Sequence, residues 1–401
     1  MKNFKYKYID KSGKQSTAYI SCEDAFELKN RLKAEGKVLL HYKEMKSKPK
    51  QRLKRKKLIK SDELSNFCRQ MAIIVSSGVS MISSLEGLIE QANSKIIKDE
   101  LTRLYNGMQM GRNISDVMKD ENSSFPELLA SMVALGENSG TLDSIFRSMA
   151  DYYMRDNLLK KKVKSAMIYP IILLVMVTGI IIGFLKFLLP NLIEIVESTG
   201  TELPAITKFV IGLSNAINNN FFLILVIIGL IIFGIKSFIN TEKGRLIKDS
   251  ILLKIPIIKR VIKNIINTRI LQGLNMFISS GFPLLKGLEL LLNSTNNAVA
   301  EISIKQAIKG VQQGESMTEN LKKGDFFDKL FIQMLSVGEQ TGTLQTITKE
   351  MLTHYEKEAE ISINKATSLI EPIIMLVIGG LVGFLVLSVA LPMFTIYNNL
   401  G

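Results

Sequence analysis

An internal duplication is the feature of this sequence that most restricts its fold. When the chain is compared with itself at a shift of about 200 residues, two segments align with a single one-residue gap. The matched pieces are Ser76–Gly78 with Ser279–Gly281, Gly136–Leu142 with Gly338–Leu344, Tyr153 with Tyr355, and Pro170–Ile172 with Pro372–Ile374. Matches at this many places indicate two copies of one unit. Each copy is a polar segment of roughly a hundred residues that leads into an apolar run.

Three apolar runs are candidates for membrane-spanning helices. Ser165–Leu185 has no charged residue, and at about 1.5 Å per residue it reaches about 30 Å, the thickness of a bilayer core. The chain from Pro372 onward also carries no charged side chain. The middle run, Phe221–Ile235, is long enough only if it extends to Ile239 with Lys236 at the interface. We therefore predict transmembrane helices over 165–190, 221–239 and 372–397.

The duplication and the charges together predict the topology. Two equivalent units on one side of a membrane must be separated by an even number of crossings, so the middle run supplies the second crossing. Lys and Arg number 31 in residues 1–165 and 17 in 240–371, but one in 191–220. Because basic residues favour the cytoplasmic side, we expect the N-terminus and both units inside, and the 191–220 loop and C-terminus outside. No apolar stretch precedes residue 165, so we expect no cleavable signal peptide.

The first 60 residues read as a small domain and a basic linker. Within residues 1–44, Phe4–Ile9, Thr17–Ser21 and Val38–Leu40 favour strands, and Glu23–Glu35 favours a helix, which predicts a small α/β domain. Residues 45–60 hold nine Lys or Arg. They predict a solvated tether that is attracted to anionic membrane lipids. Direct nucleic-acid binding is the weaker interpretation, because no aromatic residues are interleaved with the basic ones.

The two polar units read as all-helical. Apolar residues at helical spacing alternate with glycines and prolines over 61–164 and again over 240–371. We predict a cytoplasmic antiparallel bundle of about six helices in each. The expected fold class is thus mostly α and integral to the membrane, with two repeated bundles, three spans and the small N-terminal domain.

The duplicated Gly-Glu-x-x-Gly-Thr-Leu segment is the most distinctive motif. Its glycines permit a close approach of two helices and a positive φ between them. Its glutamates are placed to cap the following helix or to bind a cation. A helix–helix corner is the favoured interpretation; a cation site with Asp143 is the alternative, but the second copy has Gln345 there. The motif residues are Gly136, Glu137, Gly140, Gly338, Glu339 and Gly342.

Small and special residues also mark the predicted spans. Gly179 and Gly183 in the first span, and Gly379 and Gly383 in the last, have the four-residue spacing that lets membrane helices approach closely, either within the chain or between subunits. Residues that mark the start of a span are Pro170 in the first copy and Glu371 and Pro372 in the second. A hydrated Glu371 at the interface is favoured over a proton-relay role, since the spans otherwise lack carboxylates.

Several classes of protein are disfavoured. The chain has no Gly-x-x-x-x-Gly-Lys-Ser/Thr, His-Glu-x-x-His, Cys-x-x-Cys or Gly-x-Ser-x-Gly motif, so we expect no enzyme and no nucleotide hydrolysis of its own. Two His and two Cys leave little material for a metal site or a disulfide framework. We therefore predict no catalytic residues, no cofactor and no metal. With 47% apolar residues and a net charge of +14, the chain is also too apolar to be disordered.

The whole pattern resembles a known family. A small N-terminal domain, two helical copies with Ser-Ser-Gly and Gly-Glu-x-x-Gly-x-Leu, and Tyr169-Pro170 and Glu371-Pro372 before the spans resemble the inner-membrane platform proteins of type II secretion and type IV pilus machines. The resemblance covers nearly the whole chain. It implies a multi-pass protein of the cytoplasmic (inner) membrane that couples a cytoplasmic assembly ATPase to pilin or pseudopilin extraction and filament assembly.

The resemblance also implies partners. They are a hexameric assembly ATPase, pilins or pseudopilins, other inner-membrane assembly proteins, membrane lipids, and a second copy of the chain, with a dimer favoured. Two alternatives stay open at this point. A competence, or DNA-uptake, pseudopilus uses a similar platform, and a small-solute transporter is suggested by the duplication alone, although transporters place their repeats within the membrane.

Overall fold

The computed structural model of the chain describes residues 2–9, 15–22, 38–45, 58–188 and 221–400, together with the single residues 190 and 212. It divides into two compact units, Met1–Leu58 and Ile59–Gly401, which are described separately.

The N-terminal unit contains a three-stranded antiparallel sheet. Its strands are β1 (Lys2–Ile9), β2 (Gln15–Cys22) and β3 (Val38–Met45), in the order β2-β1-β3. Lys2 pairs with Cys22, and the register of β1 and β3 shifts between Lys7 and Tyr8. Strands therefore lie over all three predicted runs. The helix predicted over 23–35 and most of the basic linker lie outside the described residues.

The second unit holds two repeats of six helices each. The first repeat consists of α1 (Ser61–Ser77), α2 (Met81–Gln91), α3 (Lys95–Gln109), α4 (Ile114–Met118), α5 (Glu127–Ser139) and α6 (Leu142–Gly183). Two helices, α7 (Phe221–Ile239) and α8 (Glu242–Leu252), precede the second repeat. The second repeat consists of α9 (Pro256–Ser279), α10 (Leu284–Ser294), α11 (Ala298–Gln312), α12 (Met317–Lys323), α13 (Lys329–Thr341) and α14 (Leu344–Leu400).

Each repeat is built around its first and last helices. α1 packs along α6, and α9 packs along α14. The apolar stripe of α1 is buried, with Phe67 and Met71 in the core, and Phe67 meets the α6 ring of Phe146 edge to face at 6.1 Å. The second repeat buries Phe331 against the α14 ring of Tyr355 at 5.6 Å. Burial of these rings and of the aliphatic side chains around them is the main stabilising term in each bundle.

Glycines end helices at matching places in the two repeats. Gly78 follows α1 with φ 67°, and the equivalent Gly281 follows the end of α9 with φ 67°. Gly111 and Gly314 likewise have φ 77° and φ 78°. L-residues are strained in this region of φ, whereas glycine is not. The positions of these glycines in the sequence therefore determine where the helices end.

The last helix of each repeat continues into an apolar segment. α6 runs without interruption through Pro170 to Gly183, where a π-helical turn (Phe184–Leu188) follows. α14 is continuous over its described length. Among the described residues these are the two helices long and apolar enough to cross a membrane, and their apolar windows are almost entirely exposed. α7 is also strongly apolar but shorter, and the predicted 191–220 loop lies outside the described residues, apart from residue 212.

Candidate functional site: the repeat corners and the paired long helices

The duplicated motif forms the corner between the fifth and sixth helices of each repeat. Gly140 and Gly342 end α5 and α13 with φ 72° and 69°. Gly136 is helical, and a Cβ atom there would lie 3.0 Å from the Ile145 side chain. At Gly338 the equivalent atom would lie 3.1 Å from the Leu344 side chain. The first glycine thus permits close helix crossing, and the second permits the chain to reverse.

The motif glutamate caps a helix in both repeats, but not the helix that follows it. Glu137 Oε1 accepts a hydrogen bond from the Ile114 amide at 2.7 Å, and the carboxylate also accepts from the amide and hydroxyl of Ser115. These donors form the N-terminus of α4, which precedes the glutamate in the chain. The expectation of a cap on the following helix is therefore wrong. Thr141 stands at the start of α6, but its side chain makes no capping bond there.

The second repeat reproduces this arrangement. Glu339 accepts hydrogen bonds from the Met317 amide at 2.7 Å, the Thr318 amide at 3.1 Å and the Thr318 hydroxyl at 2.6 Å. The Ser316 hydroxyl also donates to it at 2.8 Å. Burial alone raises the pKa of this carboxyl, but the hydrogen bonds from Thr318, Ser316 and Met317 outweigh burial and hold the pKa below its usual value.

These contacts bear on the alternative of a cation site. The Glu137 carboxylate accepts hydrogen bonds from amide and hydroxyl donors. Its oxygen atoms are therefore engaged by N–H and O–H groups and do not face a cation. No group of three or more metal-capable side chains forms within the described residues. The hydrogen bonds of the two motif glutamates hold the short α4 and α12 helices against α5 and α13.

The span glycines have no close neighbour in the described parts of the chain. A Cβ atom built at Gly179, Gly183, Gly379 or Gly383 would meet nothing within 4 Å. The structure does not bring these faces together within the chain. Packing against a helix of another subunit or protein stays a prediction.

The residues predicted at the start of the spans lie inside continuous helices. Pro170 is buried within α6, whereas Glu371 and Pro372 are exposed on α14. Proline lacks the amide that would bond to the preceding turn, yet both helices continue past it.

Ion pairs join the two repeats just before their apolar segments. Arg155 Nη1 of α6 lies 2.8 Å from Glu356 Oε1 of α14, and Lys162 Nζ lies 2.7 Å from Glu360 Oε2. We call these four residues the membrane-proximal clamp. Arg269 of α9 also reaches Asp156 of α6 at 3.4 Å. The sequence did not reveal these pairs because their members are far apart in the chain and the repeat signal does not predict which faces meet.

A second contact between the repeats lies between α5 and α10. Here a cleft of about 500 Å³ is lined by both helices, and Asn293 donates to Glu127 at 3.4 Å. Phe282 is buried, whereas Val79, its counterpart in the first repeat, is 56% exposed. The contact between repeats therefore uses different faces of the two copies.

One side chain with nucleophilic chemistry, Cys68, is fully buried in α1. Burial raises the pKa of its thiol far above the usual value, so the reactive thiolate does not form at neutral pH. What the described residues bring together is charge pairing and helix capping, which hold elements in place.

Comparisons with known proteins agree with this architecture. Residues 67–190 and 270–392 each match the family described as "Type II secretion system (T2SS), protein F". Each matched stretch covers most of one repeat and includes most or all of the apolar segment that follows it.

Curated relatives carry names from two machines. The chain is 27% identical over 402 residues to the type II secretion system protein F of Vibrio cholerae, covering 99% of both chains. It is 28% identical over 338 residues to the type IV pilus assembly protein PilC of Myxococcus xanthus, covering 84% of this chain and 81% of the relative. It is 26% identical to the PilC of Thermus thermophilus, covering 99% of both. With two matched domains that together span more than half of its length, the chain belongs to the type II secretion system protein F family.

Proposed function

We propose that this protein is the inner-membrane platform of a type IV pilus or type II secretion machine. In this role it couples a cytoplasmic assembly ATPase to the extraction of pilins or pseudopilins from the membrane and to filament assembly. Family membership and relatives named for both machines support the proposal.

The proposed arrangement has three spans, over 165–190, 221–239 and 372–397. The bundles 61–164 and 240–371 and the N-terminal α/β domain lie in the cytoplasm, and the C-terminus lies outside. The apolar lengths of α6 and α14 support the first and last spans. The 19 residues of α7 reach about 28 Å, which is close to a bilayer core.

Helix continuity is the observation that carries the coupling proposal. α6 and α14 each begin inside a helical bundle and continue into an apolar segment with no intervening loop. A hydrogen-bonded helix resists bending, so a displacement of the bundle reaches the span. The membrane-proximal clamp links α6 to α14 just before these segments. Since the sequence has no nucleotide-binding motif, the force comes from a separate ATPase.

The exposed apolar segments supply surfaces for pilin helices. The glycine faces at Gly179, Gly183, Gly379 and Gly383 leave room for the backbone of another helix to approach closely. We place pilin transmembrane helices in grooves beside the first and last spans, and we expect the chain to act as a homo-oligomer, with a dimer favoured.

The proposal is tested with the full-length protein in lipid nanodiscs. Its cognate assembly ATPase is titrated in, and complex formation and ATP turnover are measured. We expect a complex and a change in turnover compared with empty nanodiscs. No complex at any ATPase concentration, with correctly folded protein, would overturn the coupling role.

A further inference from the structure

A corner of the second repeat, outside the long apolar segments, exposes several aliphatic side chains. We define the α8–α9 corner as residues 246–260, where α8 ends and α9 begins. Its exposed aliphatic residues, each between 37% and 54% exposed, are Leu246, Ile247, Ile251, Ile255, Ile257 and Ile258. These six side chains lie within fifteen residues of chain, and exposed apolar surface concentrated in this way marks a binding surface.

The rest of α8 is firmly attached, which fixes the direction of this patch. Arg245 pairs with Glu301 of α11 and also donates to the Thr295 carbonyl at 3.3 Å. One helical turn later, Asp249 accepts the Ala298 amide at 2.8 Å and so caps α11. These residues occupy one face of α8, so Ile247 and Ile251 are held on the opposite face.

The antiparallel packing of α9 and α14 places the α8–α9 corner on the side of the apolar segment of α14. Gln272 of α9 reaches Glu356 at 3.5 Å, and Asn264 donates to Ser362 at 2.7 Å, so α9 and α14 run antiparallel. The residues that precede Asn264 therefore extend in the direction of those that follow Ser362. From Asn264 back to the start of α9 is a rise of about 12 Å, and from Ser362 to the start of the apolar segment about 15 Å.

The end of α7 gives a second and independent indication of position. Gly244 of α8 lies so close to the Phe238 carbonyl that an added Cβ atom would fall 2.0 Å from its oxygen. α8 is thus tied directly to the last turn of the strongly apolar α7. The corner lies beside one apolar helix and on the side toward which another runs.

Basic residues lie within the α8–α9 corner and next to it. Lys243, Lys254 and Lys259 are exposed and have no ion-pair partner among the residues described. Lysines next to aliphatic residues at a membrane boundary bind anionic headgroups while the aliphatic groups enter the acyl region.

We infer that the α8–α9 corner is an interfacial membrane anchor. Its isoleucines and leucine insert into the cytoplasmic leaflet, and Lys243, Lys254 and Lys259 contact anionic phospholipid headgroups. This anchor holds the second repeat against the membrane in addition to the transmembrane helices. It rests on the cytoplasmic position of the second repeat proposed above, but not on the coupling to an ATPase.

Introduced tryptophans test the anchor, because the chain has no Trp of its own. Full-length Ile251→Trp and Ile257→Trp are reconstituted in vesicles of phosphatidylethanolamine and phosphatidylglycerol that contain lipids brominated near the headgroup or deep in the chains. Val337→Trp, 43% exposed and next to the Gly338 corner at the far end of the repeat, is the water-exposed control. Leu376→Trp in the apolar segment of α14 verifies insertion.

The expected result is blue-shifted emission from both corner tryptophans and stronger quenching by the shallow than by the deep brominated lipid, with none for Val337→Trp. Adding Lys254→Gln and Lys259→Gln, or replacing phosphatidylglycerol with phosphatidylcholine, should reduce that quenching. Unquenched corner tryptophans beside a quenched Leu376→Trp would overturn the anchor. A blue shift without quenching would also overturn it, because a protein rather than lipid would then cover the corner.

Discussion

At the scale of single residues, glycine does two separate jobs in the duplicated corner. Gly140 and Gly342 adopt a positive φ, and Gly136 and Gly338 permit contact between helices. Gly87 provides a contrast, since it lies inside α2 with open space around it and an ordinary φ. The consequence of adding one methyl group therefore differs from glycine to glycine.

We predict that Gly140→Ala and Gly342→Ala each destabilise the protein by about 1 kcal/mol, because an L-residue is strained at this φ. Gly87→Ala is the matched control, and it should raise stability slightly by favouring the helix. Thermal unfolding of the full-length protein in detergent measures all three. Equal effects of the three substitutions would contradict the assignment of strain.

The capping carboxylate predicts a dependence on pH. Because Glu339 has a lowered pKa in the folded protein, its stabilisation is present above the unfolded carboxyl pKa of about 4.3 and is lost as the pH falls through the lowered folded value. Glu339→Gln should therefore lower the Tm at pH 7, and the difference from the unsubstituted protein should shrink below about pH 4.

The matched control for this experiment is Glu350→Gln on the exposed surface of α14. It should leave the Tm nearly unchanged throughout the same pH range. A Tm difference for Glu339→Gln that stayed constant from pH 7 to pH 3 would show that the carboxylate charge does not stabilise the α12 cap.

At the scale of elements, two long helices from different repeats are joined by exposed ion pairs. Exposed pairs contribute only about 0–1 kcal/mol to stability, so the clamp is not what keeps the bundles folded. Its place, after the bundle cores and before the apolar segments, suits a role in keeping α6 and α14 moving together.

We predict that Arg155→Glu or Glu356→Arg alone reduces filament assembly or secretion strongly while leaving the Tm almost unchanged. The reversed pair Arg155→Glu/Glu356→Arg should recover most of the activity. Arg112→Glu is the control, because Arg112 pairs with Asp120 at 2.7 Å inside the first repeat and does not connect the two repeats. A double variant as inactive as the single variants would show that activity does not depend on the Arg155–Glu356 ion pair.

At the scale of the whole molecule, the proposed function requires both helical repeats to face the same compartment. The two long helices enter their apolar segments in the same chain direction, from bundle to apolar segment. Bundles on one side of the membrane therefore need one further crossing between them, which the proposal assigns to α7.

Reporter fusions test this topology. A fluorescent protein fused after residue 300, and one at the N-terminus, should be active in the cytoplasm, and alkaline phosphatase fused after residue 205 or at the C-terminus should be active outside. Phosphatase activity after residue 300 would place the second repeat outside and exclude contact with a cytoplasmic ATPase.

Local features of the fold could be predicted from the sequence. The duplication, the six helices per repeat, the helix ends at Gly78 and Gly140 and the apolar segments all depend on short stretches of chain. Backbone strain depends on the φ of a single residue, and a membrane-spanning segment needs about twenty apolar residues. Both properties can therefore be read from a short stretch of sequence.

Only the tertiary structure decided which distant groups meet. Glu137 caps a helix that precedes it, because the free amides of α4 lie beside α5 after folding. The clamp joins residues about two hundred positions apart, and Phe282 is buried where Val79 is exposed. Such contacts depend on how whole helices are oriented. The pattern that the two repeats share is the same in both, so it does not specify which of their faces will touch.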